Sequence, residues 1–340
     1  MTAACRRLPL LFIALLAAVT AYAQDIGWQV RFHGFADNRE YAHSGRYSQS
    51  ILGVRIAPEI YFSLDSSHFL HAGINYLHEF GSQEGVSGSV LPTIYYNYRR
   101  KGIDFYIGMF PREGLLSGQH RAILNDTLRY YRPNIEGLLW RYTGNTFQQQ
   151  VWIDWTSRQT ATEREQFLAG ISGQVHMGMA YVSHQITLWH NAGSKAAAGT
   201  DQLPIHDNGA AMLKIGADLS RLTVLDSLDV SGGGLIAYDR LRGVYDWLTP
   251  KGFIADLYAA YRKFFIVNSF YAGERLPIVY GDRFYTATRY NRIDLGWKPL
   301  QYKGLEGRFT FSIHMTPGAV DNQQQFSLRY RIGRFYPKPR

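Results

Sequence analysis

The chain has 340 residues, with 36 Lys and Arg against 27 Asp and Glu, a net charge of +9 at neutral pH and one cysteine. One cysteine excludes a disulfide-stapled domain and a multi-thiolate metal site. The basic balance points to anionic partners such as lipid phosphates or acidic solutes.

Arg6 and Arg7 precede the apolar run LPLLFIALLAAV, which is followed by Ala21-Tyr22-Ala23. A basic start, roughly a dozen apolar residues and a small-x-small site predict a signal peptide over residues 1–23, cleaved before Gln24. A membrane-spanning helix needs about 20 apolar residues, more than this run holds. Cleavage removes Cys5 and two arginines. An exported chain without a recognisable binding motif is not expected to bind nucleic acid. Residues 24–340 read as one domain, because no Pro/Gly/Ser-rich hinge divides them.

Period-two alternation then runs the length of the chain. Trp28, Val30 and Phe32 alternate with Gln29, Arg31 and His33, and Leu52, Val54, Ile56, Ile60 and Phe62 with Gly53, Arg55 and Glu59. Ile103, Phe105, Ile107 and Met109 oppose Asp104 and Tyr106. Val151, Ile153 and Trp155 oppose Gln150, Trp152 and Asp154. Towards the end, Ile293, Leu295 and Trp297 oppose Arg292 and Asp294, and Phe309, Phe311 and Ile313 oppose Arg308, Thr310, Ser312 and His314. Phe326, Leu328, Tyr330 and Ile332 oppose Arg329 and Arg331.

Sixteen strands are predicted, at 27–37, 50–64, 68–80, 89–99, 102–110, 135–143, 146–156, 164–176, 179–190, 209–219, 228–238, 251–262, 264–272, 288–297, 304–315 and 323–335. The count holds to about two strands either way. HQITLWH (184–190) and SGGGLIAY (231–238) alternate poorly, and Pro58 and Pro92 each remove a ladder bond. Many segments have the roughly ten residues of a tilted strand crossing a bilayer, against five or six in soluble sheets. The connections form two alternating classes. Short ones lie at 64–67, 99–102, 143–146, 177–179 and Arg262-Lys263, with longer members at 220–227 and 298–303. Long polar ones lie at 38–49, 81–88, 111–134, 157–163, 191–208, 239–250, 273–287 and 316–322. Tight turns on one side and long loops on the other predict an all-β transmembrane antiparallel up-and-down β-barrel with both termini in the periplasm.

On this pattern the chain resembles the Gram-negative outer-membrane β-barrel class and, in overall plan, its sixteen-stranded porins. Gln24 after the leader and the abundant aromatics resemble barrels of the Bacteroidetes type. The resemblance covers residues 24–340 and lies in pattern rather than in a motif. It departs at the end, where Pro337-Lys338-Pro339-Arg340 follow Phe335 and Tyr336. Such barrels commonly finish on an aromatic residue that the assembly machinery reads. The resemblance implies residence in the cell outer membrane, contact with its lipid and lipopolysaccharide, and insertion by the barrel assembly machinery. It also implies passage of small hydrophilic solutes and, as in many porins, a homotrimer. It implies no cofactor and no metal.

In porins of this plan the third external loop folds into the barrel. Here that loop is the longest, and RAILNDTLRYYRPNIEG (121–137) breaks the alternation. Arg112, Arg121, Arg129 and Arg132, with Asp126 and Glu136, are the predicted constriction groups, and Tyr130 and Tyr131 are placed against solute or wall. An exposed loop touching lipopolysaccharide is the alternative. By parity Arg31, Arg55, Lys214, Arg262, Arg292, Arg308, Arg329 and Arg331 share the polar lumen face with Glu59, Asp104, Asp154, Asp218, Asp256 and Asp294. These charges either select ions or pair into bracing ladders, and the cationic excess predicts weak anion preference.

The expected function is therefore passive diffusion of small hydrophilic solutes, without enzyme activity. The alternatives are a barrel component of a larger envelope complex, an outer-membrane hydrolase and a soluble secreted β-protein. For a hydrolase, Ser312 and His314 share a strand face but lack a recognisable orienter or oxyanion site. His68, His71, His78, His184 and His190 are scattered, and His71 and His78 differ in parity. DWTSRQTATEREQF (154–167) reads as a rim salt-bridge network. Neither a phosphate-binding glycine loop nor zinc-ligand spacing is present.

Overall fold

The computed structural model describes residues 25–82, 90–160, 162–193 and 204–334. The signal peptide and the terminal segment from Phe335 lie outside the described residues. The alternating segments form β1 (Asp25–Glu40), β2 (Gln49–Ser63), β3 (His68–Glu79), β4 (Val90–Arg100), β5 (Ile103–Pro111), β6 (Asn134–Thr143), β7 (Phe147–Ser157), β8 (Gln166–Met177) and β9 (Ala180–Asn191). There follow β10 (His206–Asp218), β11 (Ser227–Leu241), β12 (Tyr245–Leu248), β13 (Lys251–Tyr261), β14 (Phe264–Gly273), β15 (Arg289–Tyr302), β16 (Leu305–Thr316) and β17 (Ala319–Arg334). β12 is a short extension on β11, which itself pairs on to β13. The other sixteen strands each pair antiparallel with their neighbours, and β1 pairs with both β2 and β17, closing a barrel. Both poorly alternating segments are strands, β9 and β11.

The short connections work because their residues accept left-handed backbone. Lys101-Gly102 and Lys303-Gly304 have φ of 48° and 81°, and 36° and 84°. Two consecutive positive φ values suit the right-handed twist of a hairpin, and glycine takes the second at little cost. Two predicted connections differ from the structure. β15 runs on to Tyr302 where a loop was predicted at 298–303; its register with β16 shifts between Trp297 and Leu300, around Pro299, which has no N–H to give the ladder. The connection at 316–322 is a tight turn over Pro317-Gly318, with Gly318 at φ 80°. Pro58 lies in β2 where the β2–β3 register skips from Ile56 to Glu59.

Parity gives each strand two faces. Trp28, Ile56, Ile107, Leu138, Val151, Leu213 and Trp297 are exposed on the outer face, an apolar belt that suits lipid. The inner face is not uniformly polar. Phe110, Ile135, Leu139, Trp152, Leu168, Ala210, Leu235 and Ile254 are buried there. They pack against two inward-folded connections, residues 112–133 and 274–288.

Candidate functional site

The third external connection, residues 112–133, enters the barrel, as the porin resemblance implies. Arg112 fixes its two ends: its N–H donates to the Pro133 carbonyl (2.7 Å) and its Nε to the Arg132 carbonyl (2.9 Å). Its guanidinium also pairs with buried Asp154 of β7. On one side of the lumen Gln119 donates to Ser172 of β8 (2.9 Å), and the His120 N–H to Gln185 of β9 (2.8 Å). His120 also meets Asp256 of β13 at 3.2 Å. On the other side Arg55 of β2 donates to the carbonyls of Arg129 (2.8 Å) and Tyr130. There Tyr130 packs on Phe35 of β1 at 4.7 Å, and Arg39 reaches Thr127 at 3.3 Å. The segment thus spans the lumen from β8 and β9 to β1 and β2. A one-turn helix, α1 (Leu128–Tyr131), aims its buried Tyr130 at that far wall.

The predicted constriction residues mostly converge, as a compensated network. Arg121 bonds Asp294 and Asp126, both at 2.9 Å, and Arg129 sits 4.0 Å from Asp126. Burial alone would raise the Asp126 carboxyl, but the Arg121, Arg129 and Arg292 guanidiniums outweigh it and hold the group below the usual carboxylate range. Arg132 lies 4.0 Å from Asp154. Tyr131 points to the external side and donates to Glu79 at 2.9 Å. Glu136 is a correction. It belongs to β6, where Leu138 and Trp140 face outwards and Ile135 and Leu139 inwards, so its exposed side chain leaves the lumen.

Most predicted wall residues do face inwards. Glu59 is a hub, accepting from Gln29 (2.8 Å), Arg31 (3.2 Å) and Tyr95 (3.0 Å), with His71 at 2.8 Å. Asp104 pairs with Arg99 and Arg141, Lys214 with Asp256, Arg292 with Asp294, and Arg329 with Glu113. Arg308 stacks over Phe265 at 4.3 Å. Arg331 lines a periplasmic-side cavity with Arg31 and His71. Arg262 and Asp218 are corrections: both sit exposed at periplasmic turns, Arg262 at φ 56° over Tyr261, because the strands end there.

The second inward segment, 274–288, was read only as a polar loop. Its Leu276, Phe284 and Tyr285 are buried with Ala122 and Ile123 of the first segment and with Ala210, Leu235, Ile254 and Tyr290 of the wall. The two segments also share backbone: the Asn125 N–H donates to the Tyr280 carbonyl (2.7 Å) and the Asp282 N–H to the Arg121 carbonyl (2.9 Å). Apolar packing between the two segments and the wall therefore occupies part of the lumen, where a wholly polar interior was expected. The missed signal was the inward parity of apolar residues such as Trp152 and Leu235.

Ser312 and His314 do not form a pair. Ser312 accepts from Arg292 (3.1 Å), while His314 bonds Tyr290 (2.8 Å) and stacks on Phe284 (4.3 Å). In the lumen His33 meets Ser327 at 3.0 Å, but no carboxylate bonds that imidazole among the described residues. A different constellation lies at the external end of β9–β11. His190 Nδ1 is 2.6 Å from Asp207, and Arg242 donates to the other Asp207 oxygen at 2.7 Å. Leu188 and Ile236 are exposed on the same parity, whereas Trp189 packs inwards on Tyr280, so this trio faces out of the barrel. Phe167 stacks on His190 at 5.1 Å, and Trp155 packs at a tilt against Phe167 at 5.3 Å. Trp247 and Arg240 stand nearby on the same strand system, 5.5 Å apart. Such aromatics mark the outer interface of a membrane barrel. On the opposite face of the same strands His206 meets Asp239 at 2.7 Å, beside Asn208, which holds the 274–288 segment through the Pro277 carbonyl and the Val279 N–H. The inner pair braces; the outer His190 Nε2 makes no bond among the described residues.

The family model for lipid A 3'-O-deacylase-type proteins matches residues 18–335. The chain belongs to this family. No curated protein sequence matches this deacylase-type chain. Solved structures share its fold at low identity. OmpT with loop L8 deleted, an outer membrane protein of Vibrio cholerae, is 9% identical with a TM-score of 0.57, covering 91% of this chain and 99% of that one. The anion-selective porin from Comamonas acidovorans is 10% identical with a TM-score of 0.55, covering 91% and 99%. OpdK from Pseudomonas aeruginosa is 8% identical with a TM-score of 0.53, covering 92% and 100%. The deacylase-type chain is thus an outer-membrane β-barrel protein of porin-like fold. Its family description names an enzymatic activity, against the sequence-based expectation of a non-enzymatic channel.

Proposed function

We propose that this barrel hydrolyses an acyl ester of lipid A, and that the reaction takes place on its outer face. One observation carries the reading: the outward His190–Asp207–Arg242 trio stands in an aromatic girdle, where the ester bonds of an outer-leaflet glycolipid lie. The family description supplies the reaction class. The two connections folded into the lumen weigh against the passive-diffusion reading.

The chemistry follows from the donor pattern. With its Nδ1–H donated to Asp207, the imidazole presents Nε2 as an acceptor for a water proton. The resulting hydroxide attacks the ester carbonyl. The guanidinium of Arg242, half-exposed and tied to Asp207 through Nε, offers its Nη groups to the developing oxyanion. As the tetrahedral intermediate collapses, the C–O bond breaks and the proton on Nε2 passes to the departing alkoxide. The products are a free fatty acid and a sugar hydroxyl. Protein in detergent incubated with lipid A should release one fatty acid per lipid, read by mass spectrometry. His190→Gln should lower the rate by about 100-fold or more, the scale of a lost general base. A wild-type protein that leaves lipid A intact under any detergent condition would overturn the reading.

A further inference from the structure

Directly below the trio, the outer wall over β9, β10, β11 and β13 is indented. A cavity of about 650 Å³ lies there, lined by Ile186, Ala211, Leu213, Gly234, Ile236 and Phe253. The register explains its shape. Leu213 pairs with His184 on one side and Gly234 on the other, and Gly234 pairs in turn with Phe253. A methyl added at Gly234 would meet nothing within 4 Å, so the floor is open where neighbouring strands carry large side chains. Leu213 and Phe253 stand as its banks, 58% and 51% exposed. At the upper end Tyr238 lies across Gly209 and donates to the Thr187 carbonyl, forming a lip. Level with Ile236 stands Lys251, exposed, its ammonium without an ion pair among the described residues. Ala211 of β10, paired with Ile236, lies four residues from Asp207 of the trio, about 14 Å along the strand at roughly 3.4 Å per residue.

We propose that this groove holds one acyl chain of a phosphorylated outer-leaflet glycolipid, with Lys251 taking a phosphate. The proposal rests on the outward-face reading above and adds how the substrate is held. An apolar trough capped by an unpaired cation and cationic Arg240 and Arg242 complements an amphiphile with an anionic head. Ordinary lipid-facing wall needs no trough, because acyl chains coat a convex surface without one.

The test compares lipid A bound to folded protein in detergent, counted by native mass spectrometry. Folding is confirmed for each variant by its heat-dependent gel shift. Wild type and His190→Gln should each retain one lipid A. Gly234→Leu, which fills the floor, should retain at least tenfold less, and Leu213→Ser on the bank should weaken retention independently. Lys251→Glu should weaken retention of phosphorylated lipid A more than that of a dephosphorylated form. Retention by Gly234→Leu equal to wild type would overturn the groove, as would equal retention of a zwitterionic phospholipid or protein trimers that Gly234→Leu dissociates. If wild type retains lipid A but frees no fatty acid, the groove stands and the hydrolase reading falls. If Gly234→Leu frees fatty acid at the wild-type rate, the groove falls and hydrolysis stands.

Discussion

His190 and His206 show how one residue type acquires two roles from its partners. Both lie within 2.7 Å of a buried aspartate at the same end of the barrel. Asp239, beside His206, is also held by Asn208 and Tyr245, and so locks a loop. Asp207, beside His190, is held by the exposed Arg242, and the other imidazole nitrogen stays open. Among buried charges, Arg112 ties both ends of the inward connection to the wall. Arg112→Ala would leave buried Asp154 with the Glu136 N–H at 3.0 Å and Arg132 at 4.0 Å, and should cost about 1–3 kcal/mol, seen as a lower urea midpoint in micelles with an intact strand circular-dichroism spectrum beforehand. Asp126 sets a pH window. Its folded carboxyl titrates below its ordinary value, so its contribution is fully present above about pH 4 and is lost as pH falls through the lower folded value. Protection of residues 112–133 from protease should therefore hold at pH 5 and weaken only in stronger acid; Asp126→Asn should weaken it at pH 7 as well.

At the scale of elements, the inward connection was legible in the sequence and its effect was not. RAILNDTLRYYRPNIEG announces a segment outside the strand pattern, and Arg121, Asp126 and Arg129 do meet in the lumen. Its charges find partners, however, and its apolar residues Ile123 and Leu124 carry the packing. Nothing local to residues 274–288 marks Leu276 and Phe284 as buried, because their partners come from β10, β11 and the other loop. Glu136 was misassigned because it was grouped with the connection although it lies within the strand predicted at 135–143, where parity turns it outwards. The Arg112 N–H to Pro133 carbonyl bond holds the two ends of the connection together, so the span can be cut out. Replacing residues 113–132 by two glycines should open ion steps in a planar bilayer larger than any the wild type gives. Equal conductance from both would show that the connection does not block the barrel.

For the whole molecule, sixteen strands, their order and the short-turn side could be read from alternation, because one face must suit lipid and the other must not. Pro299 and Pro317-Gly318 upset the reading of single connections without moving the count. Function was less legible. His190 lies on β9, Asp207 on β10 and Arg242 in the turn just after β11, and they become neighbours only through the register of those strands. Scattered histidines gave no hint of which one would meet a carboxylate on the outer face. Barrel and family together place a deacylase-type chain in the outer membrane, and the proposed hydrolysis turns on which face carries the chemistry. The direct measurement is fatty-acid release from lipid A by wild type, His190→Gln and His314→Gln, all folded in the same detergent. Catalysis on the outer face requires His190→Gln to lose release while His314→Gln, altered only inside the lumen, keeps it. Full release by His190→Gln with loss in His314→Gln would contradict an outer-face reaction and return the chemistry to the interior.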